Sequence, residues 1–256
     1  SNLQFALDDI NVEVITGYVD LEQDFVLDFF DGAFFPTLPF GTFSIANVGE
    51  HKQFTQEVKG YGEFLDGFID AVGGVYFLNE KNDARFAQIN GFRLFPPTSD
   101  GSLLDYDRLI QNDTTAYAAY AQLDWNFSSK FSLTTGIRFT DEKKELEIQH
   151  FTDVNPALVG ASTSTFTTTN LAPDGVPTRL KTSIWTPRFA LNFKASEDLL
   201  FFASATRGFK SGGWNARGVT PDQLQAFSPE KTWSYEAGFK SDWFENRLRL
   251  NATAFY

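Results

Sequence analysis

Phe131 to Asp141 reads FSLTTGIRFTD. Phe131, Leu133, Thr135, Ile137 and Phe139 share one parity, and Ser132, Thr134, Gly136, Arg138 and Thr140 share the other. A period of two is the signature of a strand with one apolar and one polar face. The pattern recurs outward from there. Ala119, Ala121, Leu123, Trp125 and Phe127 alternate with Tyr120, Gln122, Asp124 and Asn126. Trp233, Tyr235, Ala237 and Phe239 alternate with Ser234, Glu236, Gly238 and Lys240. Leu248, Leu250, Ala252 and Ala254 alternate with Arg249, Asn251 and Thr253. None of these stretches has the three-and-four spacing of a helix.

Short polar links join successive runs at Asp8–Asn11, Leu65–Gly67, Ser128–Lys130, Ala195–Asp198 and Phe244–Asn246, and each reads as a hairpin turn. Long connections are expected at 25–51, 80–113, 148–179 and 213–227. Short and long links alternate, which predicts about ten strands in five hairpins. A compact soluble domain rarely holds several structureless loops beyond about 15 residues. An up-and-down membrane barrel does, with short turns on the periplasmic side and long loops outside. The charged run DEKKELE, Asp141 to Glu147, reads as a strand outrunning the bilayer or as a solvated face. Trp125, Phe127, Phe131, Phe193, Trp243 and Phe244 cluster beside the short turns, where a periplasmic aromatic belt belongs. Pro187 interrupts an expected strand at 184–194 and predicts a bulge, a strand start or an edge.

Composition narrows the chemistry. The 256 residues contain 29 Phe, and aromatics reach 16%. There is no Cys, which excludes disulfides, thiolate metal sites and a Cys nucleophile. The net charge of −12 argues against a nucleic-acid partner, which demands a basic face. No apolar run reaches the roughly 18 residues of a spanning helix. A mean hydropathy of −0.24 does not exclude a barrel, whose apolar residues are hidden in alternation. Ser1 and the lack of a signal peptide predict an internal piece of a longer protein. The two histidines, His51 and His150, are a hundred residues apart, no Ser sits in a nucleophile elbow, and Gly60-Tyr61-Gly62 does not complete a dinucleotide fingerprint. Asp105 and Asp107 are a weak Ca²⁺ signal. No catalytic residue, metal site or cofactor is predicted.

Several segments together resemble one family. Gln53 to Lys59, QFTQEVK, is similar to a strand of TonB-dependent outer-membrane receptors, and Gly74-Val75-Tyr76-Phe77 to the strand after it. Ala121-Gln122-Leu123-Asp124 with Thr135 to Thr140, TGIRFT, resembles a hairpin of those receptors. Thr206 to Asn215, TRGFKSGGWN, followed by Phe227 to Ser241, FSPEKTWSYEAGFKS, is the sharpest likeness, and Leu248 to Tyr256 continues it. The resemblance implies an all-β, antiparallel up-and-down transmembrane barrel, present here as a partial, open wall of about ten of the family's 22 strands. It implies residence in the outer membrane of a Gram-negative bacterium. It also implies active, TonB-driven uptake of an extracellular nutrient, with a ferric siderophore as one such ligand. The expected partners are outer-membrane lipid, the TonB energy-transducing protein acting through a plug segment outside residues 1–256, and the ligand. Plug and C-terminal strands are expected to be missing. A passive porin-like barrel and a soluble all-β carbohydrate-binding module are the alternatives.

An apolar outward face leaves the other parity to line a lumen or touch a plug: Gln122, Asp124, Arg138, Arg188, Glu236, Lys240 and Arg249 are the candidates. Trp214, Asn215 and Arg217 lie beyond a strand end in a glycine-rich loop and are the candidate ligand contacts.

Overall fold

The computed structural model describes residues 1–7, 10–29, 40–92, 102–153, 166–218 and 220–256. Ten strands follow one another in a single antiparallel sheet: β1 (Asn2–Leu7), β2 (Ile10–Asp28), β3 (Phe40–Phe64), β4 (Ile69–Phe92), β5 (Ser102–Ser128), β6 (Phe131–Asp153), β8 (Arg179–Ser196), β9 (Leu199–Lys210), β12 (Glu230–Trp243) and β13 (Leu248–Phe255). Short elements lie between them: β7 (Phe166–Thr167), which pairs with β6, the single-turn helix α1 (Thr168–Leu171), and the small ribbon of β10 (Gly213–Trp214) and β11 (Ala226–Phe227). The path runs from β1 to β13 in sequence order, and among the described residues its two ends do not pair, so the sheet is an open, up-and-down wall.

The turns fall where the alternation places them. Leu7 pairs with Ile10 across a two-residue link, of which Asp8 and Asp9 lie outside the described residues. At the β3–β4 turn Leu65, Asp66 and Gly67 all have positive φ, and at the β12–β13 turn so do Phe244, Glu245 and Asn246. Left-handed residues match a tight hairpin to the strands' own twist. The first turn is clamped by Asn126, whose amide donates to Gly67 O at 3.0 Å and to Asp70 at 2.9 Å.

The strands are longer than their alternation. β3 has 25 residues and β5 has 27, whereas a bilayer needs about 9–11 per strand. Much of what reads as loop at 25–51 and 80–113 is therefore strand. β2 continues to Asp28, β3 begins at Phe40, β4 reaches Phe92, and the ladder between β3 and β4 holds throughout apart from one shift near Phe40. The reason is environmental. Beyond the membrane both faces meet water, so the outward residues become charged and the apolar alternation disappears while the backbone ladder continues.

On β6 the phase of the pattern inverts. Below Thr140 the outward residues are apolar, with Ile137 47% exposed, while inward Thr134 and Thr140 are buried. Above it the outward residues are Lys143, Glu145 and Glu147, and the inward ones, Leu146 and Ile148, are apolar and buried. No bulge intervenes, because β6 stays in register with β8 throughout. Phe131 to Phe139 and Trp185 to Phe193 each span nine residues, the length of one membrane crossing.

Outward aromatics edge this band on both sides. Near the turns Phe68 packs on Trp125 and Phe127, and Phe127 on Phe131, at 5.7–6.2 Å between ring centres. Towards the loops Phe54, Phe77 and Tyr117 form a chain at 6.2 and 5.1 Å, and Phe139 meets Trp185 at 4.8 Å. The first belt is the one expected from the sequence. The second was hidden among residues spaced far apart in the chain.

Pro187 marks an edge. The β8–β9 ladder runs from Ser196↔Leu199 to Arg188↔Thr206 and stops one residue short of it. Pro187 has no N–H to donate. From Arg179 to Pro187, β8 pairs with β6 alone, while β9 continues upward on β12.

Candidate functional site

The polar face is most organised where β3 to β6 meet. Tyr120 on β5 lies opposite Gly74 on β4, which in turn lies opposite Lys59 on β3. Gly74 presents no side chain, so the Tyr120 ring crosses β4 and its hydroxyl donates to Glu57 Oε1 at 2.7 Å. A Cβ on Gly74 would stand 2.8 Å from that hydroxyl and 2.7 Å from Val58 O. Arg138 lies opposite Tyr120 on the far side, its guanidinium 5.8 Å from the Tyr120 ring centre and 5.4 Å from that of Tyr76. Both distances are within cation–π range. One strand further, Lys59 pairs with buried Glu13 at 2.7 Å, and Asn2 donates to the same carboxylate.

Gln122, Asp124, Arg138 and Arg188 belong to this neighbourhood. Gln122 and Arg188 both oppose Gly136, and Asp124 accepts from Gln122 at 3.2 Å and from the Thr134 hydroxyl. Glu236, Lys240 and Arg249 share the same face but sit apart, on β12 and β13. Lys240 lies over Phe202 at 5.8 Å, and Arg249 pairs with Asp242 at 2.6 Å. Phe202 repeats the device of Tyr120, since its ring covers Gly238 on the neighbouring strand.

At the loop end, two connections fold onto this face and close over it. After β9 the chain crosses inside the upper part of β8. Ser211 donates to Glu142 at 2.9 Å, and Lys144 to Gly212 O at 3.1 Å. Residues 166–178 are tied to β6 by Leu146 N to Thr178 O and by Thr168 bonded to both backbone groups of Ile148. Between them Leu146, Ile148, Phe166, Leu171, Val176, Trp214 and Leu224 form the one cluster of buried apolar side chains given by the described residues. Trp214 is 8% exposed, and its indole N–H donates to Pro177 O. That bond joins the two loops.

The three loop candidates thus occupy different places. Trp214 lies inside the cap. Asn215 is exposed and shapes the loop, donating to Gln223 O at 3.0 Å and accepting from Arg217 N at 3.4 Å. Arg217 is exposed and reaches from the β9–β12 connection to Phe86 on β4, with 5.9 Å between guanidinium and ring centre. Buried Arg108 lies 5.6 Å from the same ring, and His150, opposite Arg108, stacks on Phe166 at 4.7 Å. Glu57, Tyr76, Tyr120 and the Phe86–Arg108–His150 row were not singled out from the sequence as site residues. QFTQEVK and GVYF carried Glu57, Gly74 and Tyr76, but their meeting depends on register. Among the described residues no three His, Asp or Glu side chains converge as a metal site. His51 bonds Asn82 at 2.6 Å, and the side chains of Asp105 and Asp107 lie outside the described set.

A family model described as TonB dependent receptor-like, beta-barrel, matches residues 1–256. The metal-pseudopaline receptor CntO of Pseudomonas aeruginosa strain UCBPP-PA14 is 36% identical over 72 residues, 28% of this chain and 9% of that protein. The ferric yersiniabactin uptake receptor FyuA from Yersinia pestis superposes with a TM-score of 0.72 at 16% identity, over 98% of this chain and 34% of that one. The siderophore receptor PiuA from Acinetobacter baumannii does so with a TM-score of 0.70 at 18% identity, over 99% and 38%. At such identities the likeness to the solved structures is one of fold. This chain spans about a third of the length of those two receptors. The family and its solved members are transport receptors rather than enzymes. Polar inward face, apolar band and whole-length match converge: the chain belongs to the TonB-dependent receptor family, as wall of its outer-membrane β-barrel.

Proposed function

We propose that this wall serves the active uptake of a bulky metal chelate, such as a ferric siderophore, driven by a TonB partner acting through a plug inside the completed barrel. The cap carries this reading. Two loops with a common buried core fold onto the polar face, which suits a receptor mouth better than an open pore. Exposed Arg217, held across the mouth by Phe86, is the ligand contact favoured on this reading, with Asn215 shaping its loop and Trp214 supporting both. Gln122, Asp124, Arg138, Arg188, Glu236, Lys240 and Arg249 line the lumen and meet the plug. The names of CntO, FyuA and PiuA favour a chelated metal as cargo.

The test is uptake of radiolabelled iron by host cells lacking the full-length gene, supplied in turn with hydroxamate, catecholate and mixed-ligand ferric siderophores. Restoration of one of these by the gene, lost again when TonB is deleted, is the expected result. Uptake that persists without TonB would identify a passive channel instead.

A further inference from the structure

Arg217 is held as a fixed cation. Asn215 O accepts from Gly218 N at 3.1 Å and the Asn215 side chain accepts from Arg217 N at 3.4 Å, which closes a turn over residues 215–218. Gly218 is buried, and a Cβ there would stand 2.8 Å from Gln223 C and 2.9 Å from Leu224 N. The turn therefore lies directly on the single helical turn Pro221–Gln223 and on Leu224, which is fully buried in the cap. From this anchored backbone the side chain reaches Phe86, so both of its ends are fixed.

The patch around Phe86 holds cations and no acid. Buried Arg108 lies 5.6 Å from the same ring. In its own row and the next towards the membrane, the neighbours of Phe86 are Asn47, Arg108, Gly49, Ala84 and Ile110, none of them acidic. The carboxylate nearest to Arg217 in sequence, Asp222, accepts from the Thr220 hydroxyl. Among the described residues the Arg217 guanidinium has neither an ion-pair partner nor a hydrogen-bond acceptor. A chain of net charge −12 thus keeps a patch of the opposite sign at its mouth.

The geometry selects the anion. An aromatic ring takes the face of a guanidinium and leaves its edge, where five N–H donors form a planar fork. That fork matches a carboxylate, which it bonds twice and in plane. A hydroxamate or a catecholate commits both of its oxygens to the metal. A pendant carboxylate keeps both of its oxygens free for the fork.

Resting on the reading that the cargo is a metal chelate, we infer that Arg217, braced by Phe86, is the specificity residue for a pendant carboxylate, and that the cargo is a mixed-ligand chelate carrying such groups.

The experiment measures equilibrium binding to the purified full-length receptor in detergent. The probe is a ferric dihydroxamate–hydroxycarboxylate chelate with pendant carboxylates, compared with the same chelate after those carboxylates are converted to primary amides. Ferric tris-catecholate and ferric trihydroxamate chelates are measured beside them. The wild type is expected to bind the carboxylate form about tenfold or more tighter than the amide form, R217Q to bring that ratio close to one, and R217K, which keeps the charge without the fork, to give an intermediate ratio. All three should keep the heat-resistant compact mobility of a folded barrel on gels. Equal binding of the two forms by the wild type would overturn the inference, as would an undiminished ratio in R217Q. Tight binding of the tris-catecholate or trihydroxamate chelate, with neither mixed-ligand form bound, would overturn it while leaving the chelate reading intact. A folded receptor that binds none of the four ferric chelates would overturn the chelate reading itself, and this inference with it.

Discussion

Tyr120 and Glu57 meet across a strand that separates them: the phenol of β5 passes over Gly74 of β4 and donates to a carboxylate of β3 at 2.7 Å. A barrel wall is one layer thick, so it has no core to hold strands in register from behind. A side chain that reaches past its immediate neighbour ties three strands together on the lumen side. The opening it needs is a missing Cβ.

Gly74→Ala should therefore disrupt more than its size suggests. The added methyl would meet Val58 O at 2.7 Å and the Tyr120 hydroxyl at 2.8 Å. Overpacking of this kind costs about 1–3 kcal/mol. Tyr120→Phe keeps the ring and removes one hydrogen bond, for about 1 kcal/mol. Urea unfolding of the full-length receptor in lipid vesicles, followed by tryptophan emission, should rank the alanine variant below the phenylalanine variant.

Parity predicts opposite outcomes at adjacent positions of β8. Phe189 is 49% exposed, midway between Trp185 and Phe193, and faces lipid. Phe189→Arg should destabilise by about 2–4 kcal/mol, as arginine does at a bilayer midplane. Arg188→Gln on the polar face should change stability by less than about 1 kcal/mol. The same vesicle-based unfolding measurement compares them. Equal effects would place β8 one residue out of register.

Removing the indole of Trp214 should open the cap and spare the wall. The side chain is buried among Leu146, Ile148, Phe166 and Leu224 and supplies the bond to Pro177, and Trp→Ala at such a site costs about 3–5 kcal/mol. That loss falls on residues 166–178 and 213–227. Limited proteolysis of Trp214→Ala should cut within those two segments while the barrel keeps its heat-resistant compact mobility on gels.

Acid should loosen the extension of β6 and β8 beyond the membrane. The Ser183 hydroxyl, and then the Lys181 charge, hold the Asp141 carboxyl below its ordinary range, and Lys143, followed by Arg179, does the same for Glu145. Both pKa values are lower folded than unfolded. Their stabilisation is thus fully present above the unfolded carboxylate pKa of about 4 and is lost as pH falls through the depressed values. Amide exchange at residues 141–145 and 179–183, corrected for intrinsic rates, should lose protection below about pH 4. Asp141→Asn should flatten that dependence.

The sequence disclosed the wall where lipid imposes a contrast between faces, as from Phe131 to Phe139. It concealed the strands where water meets both faces. Residues 44–52 of β3, SIANVGEHK, keep their ladder with β4 but have no apolar alternation to announce it. On β6 the alternation persists in DEKKELEI with its phase reversed, so Leu146 and Ile148 point into the cap. A pattern read with one fixed phase assigns them to the wrong side. Tyr120 was legible only as a polar-parity residue. Its contact with Glu57 follows from two registers and one glycine, none of which the local pattern supplies.

The parting of β8 and β9 beside Pro187 has a mechanical consequence. In the lower wall, a pull on β9 along its axis shears many ladder bonds at once. Above Arg188↔Thr206 the two strands share none. A pull on the β9–β12 loop is borne first by Ser211 on Glu142, Lys144 on Gly212 and the Trp214–Pro177 bond, which yield in turn, like a zip. Above Pro187 the cap is thus fastened to the wall by separate bonds rather than by a β8–β9 ladder, and those bonds can open without breaking a strand pairing.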